Sequence, residues 1–422
     1  MNSVSGEFRP FGASGALASA DSVPFGTNGP CRGCASAPDG YFVAVIGYIR
    51  SRRRVWPAVG LLVGVMLIGF DLLVPASTYV SEYPVRNDFR LAYAAATVGI
   101  TSGYSHLYDL AAQKAAIEGL GSGFNPQPFI SPPPLAWLVT PLLLLPFVAA
   151  LVIWTLLLLA LLCWTWYLLA PAGRSQGALQ KDKWVKPAHL VLLLGVFPVA
   201  FGLMVGQPGP WVAAAVATAW WLIRNDRPIW AGLVLSLIAL KPQMALLVPA
   251  CLLVSGHVRT FGAWLVASLL IGLVAVALLG PDGVARYREV LAQTQTPAWD
   301  ITRRYSISGP LGLGPVLTLT QVVVAGVTLF AAWRHRGEGP EIPMAAGIVG
   351  SLLFTPYLGF QDFLMLVVAG WLVLRSGATH WQVGLLVVGY ALLELALLVL
   401  AVPILIAEAL LLGSLVWRPR RA

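Results

Sequence analysis

The side chains able to do chemistry in this 422-residue chain come in short clusters that interrupt long apolar runs. Asn87-Asp88-Phe89-Arg90 sets a carboxylate between Arg86 and Arg90, so Asp88 is either a general base or one half of an ion pair. Tyr104, His106 and Tyr108-Asp109 follow shortly after. Gln207, within Gly206-Gln207-Pro208-Gly209, and Lys241, opening Lys241-Pro242-Gln243, supply an amide and an ammonium. These two are either ligand-binding groups or polar contacts that steady hairpin tips. Arg286, Arg288, Arg303 and Arg304 lie with Asp300 and Tyr305 in the segment 281–310, and Tyr357 precedes Gln361-Asp362. Arg and Lys provide charge-assisted donors suited to a phosphate, so these clusters suggest proton transfer beside a bound anion. The arginines have a plainer alternative use in touching lipid headgroups. No His/Asp cluster has metal-ligand spacing, and neither a metal nor a cofactor is expected. Cys163 and Cys251 sit in apolar runs, while Cys31 and Cys34 form a single CxxC, a weak signal.

The elements that must position these groups are membrane helices. Hydrophobic residues make up 58% of the chain and charged residues only 11%, with a mean hydropathy of +0.78. Soluble domains carry about 25% charged residues, so too little polar surface exists here to coat a water-soluble body. The runs are continuous in Leu, Val and Ala rather than alternating, which favours helices over a barrel. The expected fold is therefore all-α, a polytopic helical bundle with about twelve crossings. Residues 1–50 read as a disordered or interfacial tail and residues 51–422 as the membrane domain.

Charge orients this bundle. The net charge of +9 does not indicate nucleic acid, because the basic residues fall in short loops where they act as topology determinants. Arginines at 50 and 52–54 precede the run Val55–Ala76 and hold that end in the cytoplasm. The remaining crossings are expected near 147–170, 188–205, 210–223, 228–240, 243–256, 260–280, 311–333, 342–356, 363–374, 380–400 and 402–417. Loops bearing Lys186, Arg224 with Arg227, Arg259, Arg334 to Arg336, Arg375 and Arg418 to Arg421 then all lie inside, as do both termini. The stretch 228–256 is read as a hairpin with Lys241-Pro242 at its tip, since Pro cannot continue a helix without loss of a hydrogen bond. Leu135–Leu145 is too short to cross and is read as a partial helix. Every candidate residue gathers at the outer end.

In order through the chain, Asn87-Asp88-Phe89, Tyr93-Ala-Ala-Ala, Tyr108-Asp109, Pro133-Pro134-Leu135, Gly206-Gln207, Ala231-Gly232-Leu233, Lys241-Pro242-Gln243 and Tyr357 with Gln361-Asp362 resemble glycosyltransferase family 87. The resemblance implies a GT-C type membrane enzyme, in the bacterial inner membrane with its active site on the periplasmic side. It also implies a polyprenyl-phosphate-linked sugar donor, hexose transfer (mannose first) with inversion, and a lipid or glycan acceptor. The matching catalytic carboxylate is Asp88. On that footing Lys241, Arg303 and Arg304 are expected to hold the donor phosphate, and Asn87, His106, Gln207, Tyr357, Gln361 and Asp362 to shape the sugar and acceptor pocket. One departure is Arg304-Tyr305-Ser306-Ile307-Ser308-Gly309, where the family pattern leads one to expect an Asn-X-Ser-like element. The rival readings are a transporter or flippase of lipid-linked sugars, and a transferase of whole oligosaccharides. A transporter would carry internal repeats and ionisable groups at mid-membrane, whereas the polar motifs here sit at helix ends on one side.

Overall fold

The computed structural model describes residues 55–79, 88–121, 127–172, 184–294, 296, 303–395 and 401–417. The tail with its CxxC, the arginines at 50–54, Asn87, Asp300 and the terminal arginines lie outside the described residues. Among those described, every regular element is an α- or 3-10 helix, as the composition requires of a chain that must satisfy its backbone within each segment.

Each expected apolar segment coincides with helical structure, but several helices are short or broken. Phe147–Leu169, Val258–Gln293 and Pro315–Arg334 are long and apolar enough to span a bilayer, and Val185–Gly195 with Phe197–Met204 forms a fourth candidate bent by 59°. The twelve expected crossings therefore do not appear as twelve full-length helices. Gly209–Arg224 has 16 residues and Glu341–Phe354 has 14, which reach about 24 and 21 Å at 1.5 Å per residue. Prolines account for many of the breaks. Pro198, Pro210, Pro228 and Pro249 each sit in the first turn of a new helix, where the missing N–H costs nothing.

The stretch 228–256 does turn back on itself. Helix Pro228–Leu235 runs through a 3-10 segment, Ser236–Leu240, to Lys241. The chain then returns through Val248–Val254 to His257. The start of the stretch packs on the helix that follows it, Val258–Gln293, where a Cβ on Gly232 would fall 2.3 Å from the Thr260 carbonyl. Glycine is what allows this close approach.

The long helix Val258–Gln293 extends well past the expected crossing. Gly280, at φ 62°, breaks it, and Pro281 opens a second helical stretch that continues to Gln293. Part of the segment read as an outer loop is therefore helix. Leu135–Leu145 folds as expected into a short helix, Pro133–Val139, followed by a 3-10 turn over Thr140–Leu144.

The bundle has two chemically different ends. At one, Arg224 pairs with Glu341 at 2.9 Å, Trp220 donates to the same carboxylate at 3.0 Å, and Arg375 caps the carbonyls of Leu168, Leu169 and Ala170. Lys186 donates to the Tyr167 carbonyl at 3.0 Å. At the other, the ends of Gly209–Arg224 and Leu364–Ser376 opposite to Arg224 and Arg375 lead into Gln207 and Asp362. The basic groups expected on the inside thus stand a full helix length from the candidate site.

Candidate active site

Asp88 is placed by the aromatic residue beside it. Phe89 is buried and stacks on Trp154 at 5.2 Å and on Phe147 at 6.1 Å. This layer fixes the start of helix Phe89–Thr101, for which Asp88 is the N-terminal flanking residue without capping through its side chain. The Asp88 backbone N–H donates to the Val205 carbonyl at 2.6 Å, and the Trp154 indole donates to the Gly206 carbonyl at 2.8 Å. Two distant stretches are thereby locked together, and the carboxylate is left available.

The turn at Gly206 brings Gln207 to it. Gly206 has φ 69°, a conformation that costs other residues about 1–2 kcal/mol, and a Cβ there would meet the Phe89 Cβ at 2.9 Å. Gly206→Ala should accordingly lower the melting temperature in detergent and reduce activity together, by displacing Gln207. Gly262→Ala, where a Cβ meets nothing within 4 Å, should do neither. Equal behaviour of the two variants would show that the turn tolerates a side chain.

From Asp88 a chain of polar contacts runs through the site. The Gln207 amide donates to the Asp88 carboxylate, and its carbonyl oxygen accepts from the Lys241 ammonium at 2.7 Å. Lys241 also pairs with the Asp362 carboxylate, whose second oxygen accepts the Gly359 N–H at 3.2 Å. Asp362 is fully buried and Lys241 is 8% exposed. Gln207 takes one of the three ammonium N–H bonds and Asp362 pairs with the charge, so donor capacity remains for a ligand oxygen. Both partners fix which way the Gln207 amide faces: its NH₂ towards a carboxylate, its oxygen towards an ammonium.

These groups line a cavity of about 530 Å³, within the range of small-molecule sites. Tyr357 and Gln361 line it too, with Gln361 folded against Gly359. The remaining wall comes from Gln127 to Pro132, held by Gln113. That buried amide donates to the Leu107 carbonyl at 2.7 Å and accepts from the Phe129 N–H at 2.8 Å. Tyr108 adds a bond to the Ser131 carbonyl at 2.7 Å and stacks on Tyr287, another lining residue. Burial pushes the Asp88 carboxyl above the ordinary carboxylate range. The Gln207 hydrogen bond and the charges of Lys241 and Arg90 oppose that rise, and the charge of Asp362 adds to it.

The structure does not bring all the sequence-predicted residues together. Asp88, Gln207, Lys241, Tyr357, Gln361 and Asp362 share this cavity. His106 does not line it. Its Nδ1 lies 3.0 Å from the Arg286 guanidinium, which also faces Asp109 at 3.8 Å. Asp109 caps helix Leu110–Glu118, accepting from Ala111 and Ala112, and the Ala112 hydrogen bond leads in holding its carboxyl below the ordinary range. Arg303 and Arg304 line a second cavity, so the single cationic cradle expected for them with Lys241 is divided in two. Residues not foreseen in the wall include Ser131, Tyr287 and Thr294. The latter two belong to the helical stretch beyond Pro281 and its C-terminal cap, which hydropathy does not single out.

A model of glycosyltransferase family 87 matches residues 129–358, a span that holds Gln207, Lys241, Arg303, Arg304 and Tyr357, ends just short of Asp362 and begins well after Asp88. No curated protein and no solved structure matches the chain. With more than half of its length matched, and with apolar helices of spanning length around one polar cavity, this membrane chain belongs to glycosyltransferase family 87.

Proposed function

We propose that the protein is a polyprenyl-phosphate-sugar-dependent hexosyltransferase, with mannose the first candidate, acting by inversion on a lipid or glycan acceptor. The observation that carries this reading is the join, through one amide, of a carboxylate of raised proton affinity to an ammonium in the same cavity. Asp88 removes the proton from the acceptor hydroxyl as its oxygen bonds to the anomeric carbon. The bond from that carbon to the phosphate oxygen breaks on the opposite face, and its electron pair stays on the phosphate. That leaving group needs no strong acid. It needs charge stabilisation, which Lys241 supplies from a buried position in the cavity wall. Gln207 keeps base and cation apart, so that Lys241 pairs with Asp362 rather than neutralising Asp88.

The segregation of charge supports a cavity on the periplasmic side of the bacterial inner membrane. Lys186, Arg224 and Arg375 gather at the end remote from the cavity, and basic groups favour the cytoplasmic face.

The test is incubation of purified protein with a panel of polyprenyl-phosphate sugars, without acceptor, and detection of released polyprenyl phosphate. One donor should be hydrolysed slowly but above the protein-free control. Release from none of them, with consumption of a nucleotide sugar instead, would remove the lipid-phosphate donor from the reading.

A further inference from the structure

A cavity of about 720 Å³ lies between the segment 303–313 and the start of helix Ala401–Val416. Its lining includes Arg303, Arg304, Ser308, Leu313, Val402 and Pro403. It shares a wall with the active site. The Arg303 guanidinium donates at 3.0 Å to the carbonyl of Thr294, which lines the first cavity. Ser306 at 3.0 Å and Ser308 both donate to the carbonyl of Pro356, the neighbour of Tyr357.

The two sides of this cavity differ in chemistry. Arg303 is tied to the Thr294 and Thr296 carbonyls, whereas Arg304 is exposed and presents a planar fork suited to phosphate oxygens. Leu313 and Val402 are each half exposed. Helices Pro315–Arg334 and Ala401–Val416 lead away from the cavity in contact with one another and carry further exposed apolar side chains, among them Val316, Leu319 and Ile406. A cationic mouth above an apolar groove fits a phosphate headgroup with its hydrocarbon chain. Charge on this end also runs against the usual inward bias of basic residues, so it calls for an anionic occupant.

Resting on the donor reading above, in which Lys241 takes the donor phosphate, we infer that this second cavity holds the phosphate-bearing lipid anchor of the acceptor. Transfer requires two substrates side by side, and the segment that lines the second cavity is hydrogen-bonded to Thr294, which lines the first, and to Pro356, the neighbour of Tyr357. The arginines expected to hold the donor serve the other substrate.

The experiment is native mass spectrometry of the full-length protein in detergent, with dioleoyl phosphatidic acid as probe and dioleoyl phosphatidylcholine as neutral control. The phosphatidic acid should bind preferentially, one per chain. Arg304→Ala should weaken it about tenfold, the scale of one charge-assisted contact at a partly exposed site, and Arg304→Lys should retain most of it. Val402→Trp, which fills the groove from an exposed position, should weaken it similarly, while Asp88→Asn should leave it unchanged. Equal retention of the two lipids, or loss on Asp88→Asn without loss on Arg304→Ala, would overturn the assignment. So would one-for-one displacement of the probe by polyprenyl phosphate, which would give the cavity to the donor carrier. Failure of the donor panel, by contrast, would sink the functional reading and leave the probe data standing, so the two readings fail separately.

Discussion

Asp88→Asn should lower sugar transfer by about 10²–10⁴-fold, the usual contribution of general-base help, while expression, melting temperature and donor binding stay close to those of the unaltered protein. The change is nearly isosteric, and the helix start does not depend on the carboxylate. Phe89 anchors that start by stacking on Trp154, and the Asp88 contact to Val205 uses the backbone. An amide at this position still meets Gln207 but cannot take a proton. The pH profile provides a second readout. A base must be ionised to act, so the rate rises as pH passes upward through the Asp88 pKa, and burial sets that limb above the ordinary carboxylate range. Gln207→Leu removes a hydrogen bond that favours the ionised form, and it should move the limb to still higher pH. A change in Gln207 that merely loosened the fold would lower the rate without shifting the limb. Full activity of Asp88→Asn would take Asp88 out of the base role.

Much of this arrangement is legible in the sequence because polar residues stand out inside apolar runs. Gly206-Gln207, Lys241-Pro242 and Gln361-Asp362 interrupt segments that are otherwise Leu, Val and Ala. Non-helical backbone at membrane depth is tolerated only where protein covers it or a cavity adjoins it. These three breaks therefore mark the site and also shorten the helices, which is why the expected segments are helical but few of them are long enough to span. What the residues do not reveal is which of several cations share a cavity. Lys241, Arg303, Arg304 and Arg286 all belong to the same end of the bundle, yet the first meets Gln207 and Asp362, the next two face a different cavity, and the last recruits His106. Side-chain direction is decided by packing, not by position along the chain. Pro281 shows a second limit. A proline after glycine reads as the end of a helix, but at the first position of a helix it is equally at home, and here it starts the stretch that carries Tyr287 to the site.

Lys241→Met should have the largest combined effect on stability and activity. Lys241 is the counter-ion of Asp362, a fully buried carboxylate. Removing one partner of a buried pair leaves the other charge uncompensated, which costs about 3–5 kcal/mol, so a marked fall in melting temperature is expected. Removing both charges is much less costly. The double variant Lys241→Met with Asp362→Asn should therefore recover most of the lost stability, the amide still being able to accept the Gly359 N–H. Transfer should not recover with it. The leaving phosphate then develops its charge without the ammonium, and loss of a single preorganised donor at such a site lowers turnover about 10²–10³-fold. Stability restored and activity absent would separate the structural role of the ion pair from its chemical one. Near-normal transfer by the double variant would show that the phosphate is held elsewhere and that Lys241 serves only to neutralise Asp362.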